Sequence, residues 1–407
     1  MYLIILLIKL IMIKHSLEKQ LLNQPKEVLF CKRCVMSNQR PRITFDAEGV
    51  CGGCSNNELY KKKIDWNKRE EELNKLLDKY RRKDGKWDVV VPSSGGKDSA
   101  YVAHQLKYKY GMNPLTVTWS PLIYTNIGWK NFQSLRDTGF SNILSSPNGK
   151  THRQLARLSF EEFGDAFHVF VLGQISYAFH IAIKFDIPLV MFGENGEAEY
   201  AGDLKAVDKP FIPSEEFTRL YFKGTTVDEL VEYGIKNKKY FSKDIKKSDL
   251  DFYKSPSSTE LKNSGIEGKH FFGYYKNWKP QENFFYAAEN TGFQPNPERT
   301  EGTYSKYASI DDKLDGIHYY MKYIKFGFAR ATDDASHEVR DGHISRDEAI
   351  SLVKRYDGEF PEKYFQDFLD YLDITSGEFW DTVDSWRPPH LWIKDQNKWK
   401  LKKTVFE

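Results

Sequence analysis

A short β-branched run that breaks into a glycine-bearing polar turn constrains this chain more than any other feature. Trp87-Asp88-Val89-Val90-Val91 runs into Pro92-Ser93-Ser94-Gly95-Gly96-Lys97-Asp98-Ser99. Beyond it Val102, Leu106 and Tyr110 share one helical face, and Gly111 offers a stop. Continuous apolar runs of this length predict buried strands, and the spacing that follows predicts a helix. Leu115-Thr116-Val117-Thr118-Trp119 predicts a second strand. Residues 128–182 hold helical patches, and Ile187–Phe192 predicts another strand, ending in Gly193-Glu194-Asn195-Gly196. Strands alternating with helices over 87–200 predict an α/β fold with a doubly wound parallel sheet. Ligands of such sheets bind beyond the carboxyl ends of the strands, where both glycine-bearing loops fall.

The whole chain has 407 residues, enough for two or three folding units. Its 40% apolar and 15% aromatic content argues against wholesale disorder. Lys plus Arg is 60 against 57 Asp plus Glu, a formal +3. That balance gives no general attraction to nucleic acid or anionic lipid, so any polyanion site must be local. The opening MYLIILLIKLIMI is interrupted by Lys9 and is shorter than the roughly 20 residues a bilayer span needs. The following HSLEKQ offers no small-residue cleavage site. The expectation is an uninformative leader on a soluble, cytoplasmic protein without stable membrane insertion; a membrane anchor is the alternative.

The expected organisation is a leader and lead-in over 1–30, a cysteine module over 31–58 and a connecting helix over 59–86. An α/β domain over 87–330 and a helical C-terminal region over 331–407 follow. Leu73, Leu76, Leu77 and Tyr80 carry the connecting helix. Ser345-Arg346-Asp347-Glu348 has capping-box spacing ahead of Ile350, Leu352, Val353 and Tyr356. The lysine-rich pieces 236–239 and 243–247 read as a solvated face.

All four cysteines lie in Cys31-Lys32-Arg33-Cys34 and Cys51-Gly52-Gly53-Cys54, a C-x2-C-x16-C-x2-C pattern. Two tight turns, each giving a pair of sulfurs, supply the four tetrahedral thiolates that Zn²⁺ takes. Four protein ligands leave no open position, so the metal is structural and stabilises a module too small to fold alone. An iron–sulfur cluster or unrelated thiols are the alternatives. So few cysteines in so short a span favour a metal in a reducing compartment over disulfides.

Ser94-Gly95-Gly96-Lys97-Asp98-Ser99 joins a strand to a helix, where backbone N–H groups and the helix dipole converge on an anion. The glycines admit phosphate close to the backbone, and Ser94 and Ser99 supply hydroxyl donors. Lys97 adds a cation, and Asp98 is placed to help hold Mg²⁺. The Walker spacing is absent. An ordinary glycine-rich turn is the alternative.

This hexapeptide matches the SGGxDS loop of the PP-loop ATP pyrophosphatase superfamily, with its adenine nucleotide α-hydrolase-like fold. From Cys31 almost to its end the chain resembles the N-acetyl sugar amidotransferase family of bacterial surface-polysaccharide (LPS O-antigen) biosynthesis. The segments that carry this are 31–54, 92–101, LGQISYAFHIAIKFDIPLVMFGENGEAEYAGD (172–203), NPERTEGTYSKYASIDDKLDG (296–316) and IKFGFARATDDASHEVRDGHISRDEA (324–349). The resemblance implies conversion of a sugar acetamido group to acetamidino. Its oxygen would attack the α-phosphorus of ATP, releasing pyrophosphate, and ammonia would then displace AMP.

On that reading Lys97, Asp98 and Glu194 carry the chemistry. Ser94, Gly95, Gly96, Lys97, Asp98 and Ser99 hold the pyrophosphate. Trp119 and Ser120 are placed to contact adenosine, with a core role for Trp119 as the alternative. Gly193, Glu194 and Asn195 face the same crevice; Glu194 binds Mg²⁺ or orients the acceptor unless this is a plain turn. Arg299, Thr300, Glu301, Gly302, Thr303, Tyr304 and Lys306 read as contacts to phosphate or an acidic sugar, or as a polar surface loop. Asp311, Asp312 and Lys313 could join that site, and Lys325 and Arg330 are candidates for substrate or pyrophosphate. His337 and His343 read as structural.

Glutamine-hydrolysing amidotransferases need a thiolate nucleophile, and every cysteine here is assigned to zinc. The resemblance therefore implies a partner glutaminase with a cyclase-like subunit that delivers ammonia, and a nucleotide-linked acetamido sugar as substrate. Two other functions stay open: a PP-loop enzyme modifying tRNA, and a zinc-module protein that binds nucleotide without catalysis.

Overall fold

The computed structural model describes residues 17–200, 202–237, 239 and 245–407. The leader at 1–13 lies outside them, as do Lys238 and Lys243 of the lysine-rich pieces.

The strands form where apolar, branched residues are buried on both sides. β1 (Val89–Pro92) and β2 (Pro114–Trp119) pair in parallel, Val89 opposite Pro114, and β2 pairs in parallel with β3 (Asn142–Ser145). A second set has β4 (Met191–Phe192) parallel to β6 (Lys269–Phe271), with β5 (Phe211–Ile212) antiparallel on the far side of β6. A parallel bridge between Val90 and Val190, with the Val90 N–H donating to Leu189 O at 2.9 Å, lays β4 beside β1. The strands therefore follow in the order β3-β2-β1-β4-β6-β5.

Successive residues of a strand face opposite ways. Val90, Leu115, Val117 and Trp119 enter one core with helices α5 (Gly149–Phe163) and α6 (His168–Lys184). Val89 and Val91 enter another with α3 (Lys97–His104) and Leu73 and Leu77 of α2 (Trp66–Tyr80). The parallel strands are thus covered on both faces, which suits their uninterrupted apolar character. α6 is buried along most of its length. A Cβ on its Gly173 would lie 2.1 Å from the Trp119 ring, so that indole packs directly on the helix backbone. Among the described residues no helix is long and apolar enough to cross a membrane.

The span 59–86 holds parts of two helices rather than one. α1 (Gly52–Lys63) starts inside the second cysteine turn, and Asp65 then caps α2 by accepting from the N–H groups of Asn67 and Lys68. A new cap satisfies the orphan donors of a new first turn, so the chain bends there instead of continuing. α4 (Asn126–Asp137) follows β2, α7 (Val227–Lys236) follows β5, and α8 (Pro280–Thr291) follows β6.

The C-terminal part runs through α9 (Asp315–Phe326), α10 (Arg330–Asp341), α11 (Arg346–Tyr356), α12 (Phe365–Leu372) and α13 (Ser376–Ser385). Ser345 and Glu348 form the expected capping box. A hairpin of β7 (Trp392–Asp395) and β8 (Lys398–Leu401) closes it, turned by Gln396 and Asn397 at φ +44 and +66. This region shares the main core: the ring of Phe379 stacks on Phe160 of α5 at 5.5 Å, and the Trp392 indole donates to Ile324 O at 2.8 Å.

Lys325, on α9, meets Glu18 at 2.5 Å and donates to Phe163 O at 2.6 Å, with both charges buried. Removing one member of such a pair leaves the other uncompensated. Lys325→Ala is expected to lower unfolding stability by about 3–5 kcal/mol, read by urea denaturation. Glu18→Leu combined with Lys325→Met should recover most of that loss.

Candidate functional site

The turn after β1 takes its shape from Gly95. Its φ of +88 is in the left-handed region, and a Cβ there would lie 2.6 Å from the backbone of Phe132 on α4. Glycine alone lets the turn press against that helix. Gly96, at φ −67, is the N-cap of α3 and offers no side-chain hydrogen bond to the first turn. The leading N–H groups of α3 therefore remain for an anion. Ser93 Oγ lies 2.9 Å from Ser99 Oγ, Ser99 Oγ donates to Gly96 O at 3.0 Å, and Gly95 N donates to Ser93 Oγ at 3.3 Å. Lys97 is buried, with its ammonium 2.5 Å from Asp98 Oδ2, while Asn283 of α8 donates to Asp98 Oδ1 at 3.1 Å.

Above the turn lies a cleft of about 440 Å³, within the size range of small-molecule sites. Ser94 to Ser99 and Glu194 line it from the strand ends, and Asp311, Asp315, Tyr319 and Arg330 face them from α9, α10 and the segment before α9. Burial, reinforced by Asp98, pushes the Glu194 carboxyl up. Burial together with Asp315 does the same to Asp311, and burial to Asp315. Carboxylates crowded away from water in this way favour a cation among them. Oxygen donors of this kind suit Mg²⁺, with Asp98 and Glu194 the residues that would hold it.

Arg330 counters that charge. Although burial opposes it, Asp334 at 2.9 Å holds the guanidinium firmly charged, and Arg330 Nη1 donates to Tyr319 OH at 2.6 Å. Thr303 supports the pair from behind by donating to Asp334 Oδ2 at 2.6 Å.

The structure brings Ser94, Gly95, Gly96, Lys97, Asp98, Ser99, Trp119, Gly193, Glu194, Asp311, Asp312 and Arg330 to this cleft. Trp119 also packs edge-on to Tyr253 at 5.2 Å, so wall and core share it. Asp312 is engaged in the fold, accepting from the N–H groups of Leu122 and Leu314 at 2.5 and 2.9 Å. Other candidates lie elsewhere. Ser120 donates to Pro121 O, and Asn195 caps a single turn at Gly196–Glu199 and donates to Ala206 O. Arg299 grips Glu359 with two bonds of 2.7 and 2.6 Å, Thr300 donates to Ala308 O, and Glu301 accepts from Lys363 N. Lys306 donates to Pro297 O and Lys313 pairs with Asp367. Tyr304 lines a small pocket behind Lys97 and Asp98. Lys325 is held by Glu18. His343 pairs with Glu338, and His337 is 3.7 Å from Glu199.

Two contributors escape sequence reasoning. Asn283 comes from α8, far along the chain from Asp98. Lys269, on β6, lines the cleft with its ammonium over the rings of Tyr221 and Phe192 at 4.3 and 4.4 Å. Burial pushes its pKa down to about 8, against the pull of Glu194 and Glu197. Its sequence neighbours Glu267, Gly268 and His270 are polar or small, so no local signal marks it.

The cysteines form a second centre. The sulfurs of Cys31, Cys34, Cys51 and Cys54 lie within 4.8 Å of one another, and all four residues are buried. The N–H groups of Cys51 and Met36 point at the sulfurs of Cys31 and Cys34, at 3.2 and 3.4 Å. N–H donors favour thiolate, so the donor set fits a four-coordinate zinc ion. Arg346 of α11 ties the module to the C-terminal part by donating to the carbonyl oxygens of Cys31 and Cys34.

Residues 301–405 match the family model of the C-terminal domain of WbpG-like LPS biosynthesis proteins, which supports a polysaccharide-biosynthesis family and an enzyme of that synthesis. The matched stretch includes Asp311, Asp315, Tyr319 and Arg330 of the cleft wall. Over 88 residues the chain is 28% identical to an uncharacterized protein, MJ1599, of Methanocaldococcus jannaschii. That similarity covers 21% of this chain and 31% of the relative, so the chain spans less than a third of the relative's length.

Substitutions at the two glycines are expected to separate shape from binding. Gly95→Ala should cost more than about 2 kcal/mol from its left-handed φ and backbone overlap. Gly96→Ala meets only Ser94 Oγ at 3.4 Å and should cost about 1 kcal/mol at most, yet weaken the binding of inorganic pyrophosphate at the uncapped start of α3, measured by calorimetry. Metal analysis of the purified protein should find one zinc per chain. Cys34→Ser should lose the metal and lower the melting temperature.

Proposed function

We propose that the chain is an ATP-dependent amidotransferase that converts a sugar acetamido group to acetamidino in surface-polysaccharide synthesis. The single observation that carries this is the cleft itself. An uncapped helix start, Lys97 and a permissive glycine turn stand on one side, with buried carboxylates and Arg330 opposite. The strand order β3-β2-β1-β4-β6-β5, reversing direction of growth between β1 and β4, supports a doubly wound PP-loop arrangement with the ligand at the switch point. The match of residues 301–405 to an LPS-biosynthesis domain supports the substrate class.

An amide carbonyl is a poor electrophile, and its oxygen is a poor leaving group. Transfer of AMP to that oxygen repairs both defects. The oxygen–phosphorus bond forms as the bond from the α-phosphorus to pyrophosphate breaks. Ammonia then adds to the imidate carbon, AMP departs with the former amide oxygen, and a proton is lost to leave the amidine.

The N–H groups at the start of α3 and the Ser94 hydroxyl hold the outer phosphates, while Ser99, donating to Gly96 O, braces the turn, so little geometry is left to chance in the transition state. Lys97 and Arg330 offset charge growing on the transferred and leaving groups. Mg²⁺, held by Asp98 and Glu194, would supply further charge neutralisation along the phosphate chain. Asn283 keeps Asp98 oriented. Zinc on the four cysteines is structural. Since all four thiols stand in that cluster, a partner subunit must hydrolyse glutamine and deliver ammonia.

With a suitable acetamido sugar, ATP, Mg²⁺ and ammonium, AMP and pyrophosphate should form together with a sugar whose mass reflects replacement of oxygen by NH. Asp98→Asn should reduce turnover at least about a hundredfold. Glutamine should not replace ammonium with the isolated chain. Formation of ADP and inorganic phosphate, or glutaminase activity from the pure chain, would contradict the assignment.

A further inference from the structure

A chamber of about 280 Å³ opens beside the cleft. It lies among the Arg40-Pro41-Arg42 turn of the cysteine module, the residues just after α5, and helices α9 and α10. Tyr200, His318, Tyr319 and Arg330 line both spaces, so an occupant of the chamber abuts the cleft.

Its walls are cationic. Arg40, Arg42, Lys223, Lys322 and Arg330 face it, against Asp165 and Asp333. Most of these cations are already engaged: Arg42 with Glu197 at 2.7 Å, Lys223 with Asp165, Lys322 with Asp333, and Arg330 with Asp334. Arg40 differs. Its side chain donates to the carbonyl of Pro41 at 3.2 Å and makes no ion pair among the described residues. Burial pulls its pKa down, opposed by the more distant Glu197 and Asp333. Arg40 is half-buried, and a cation partly withdrawn from water with no carboxylate within ion-pair distance among the described residues is placed to take an anion from the chamber.

The geometry points to this chamber as the subsite for the anionic end of the acceptor. A phosphate or carboxylate on an acetamido sugar would be met by Arg40 and set against Arg330, with the acetamido group reaching the cleft. This rests on the amidotransferase reading above. It also gives the cysteine module a second task, since the metal-stiffened segment carries the Arg40–Arg42 turn into the chamber wall.

The test uses the full zinc-loaded chain and two probes, each bearing an acetamido sugar. UDP-N-acetylglucosamine presents a diphosphate, and N-acetylneuraminate presents a carboxylate. Calorimetry should show one of them binding, which identifies the source of the anion. Arg40→Gln should weaken that binding about tenfold or more, as expected for a lost charge-assisted hydrogen bond. Arg40→Lys should restore much of it, and ATP affinity should be unchanged in both variants. Independently, the bound probe should protect Arg40 of the unaltered protein from an arginine-selective dicarbonyl reagent, read by peptide mass spectrometry. Failure of both probes to bind, unchanged binding in Arg40→Gln, equal weakening of ATP, or no protection would overturn the proposal. Probe binding that depends on Arg40 without pyrophosphate release under any condition would leave the subsite standing and remove the reaction.

Discussion

The contact between Gly95 and the backbone of α4 is the constraint on which the cleft depends. A side chain at that position would drive the turn away from Phe132. The start of α3 would then move off the strand end, and the N–H groups at its tip would no longer converge above β1. Gly128, in the first turn of α4, makes a matching approach: a Cβ there would lie 2.4 Å from Asp311 Cα. Positions 128 and 132 lie one turn apart on the same face of α4, so that face meets both the Ser94–Ser99 turn and the acidic wall. Two glycines, at 95 and 128, fix the width of the space between them.

Buried charge organises the rest. Asp98 is steadied by Asn283, Arg330 by Asp334 and Tyr319, and Asp334 by Thr303. Asp98 and Arg330 line the cleft while Asn283 and Asp334, set behind them, hold them in place. Such groups need little reorganisation when a charged substrate arrives. The cysteine module joins the same system through Arg346 and through the turn at Arg40, so the four clustered cysteines and one wall of the adjoining chamber share one short segment.

Signals that sit within a few residues of one another were legible in the sequence. The Val89–Val91 strand with its loop, the cysteine pairs and the capping box at Ser345 are all local chemistry. Asn283, Lys269 and Arg40 reach their places through distant segments, and no spacing rule connects them to Asp98. Charge also misleads when its partner is remote in sequence. Lys325 and Arg299 look available, but Glu18 and Glu359 occupy them in the fold. The break between α1 and α2 turns on one cap, Asp65, inside a stretch whose composition is helical throughout. The closing hairpin turns at Gln396 and Asn397 and is tied to α9 by the Trp392 indole on the carbonyl of Ile324, a contact with a partner remote in sequence.

In the proposed reaction the cleft hands the innermost phosphoryl of ATP to an amide oxygen while the Ser94 turn retains the outer two. Labelling the acetamido carbonyl of the substrate with heavy oxygen tests this directly. Mass spectrometry of the products should find the label in AMP, with none in pyrophosphate. Label retained in the sugar, or released to water with unlabelled AMP, would contradict it.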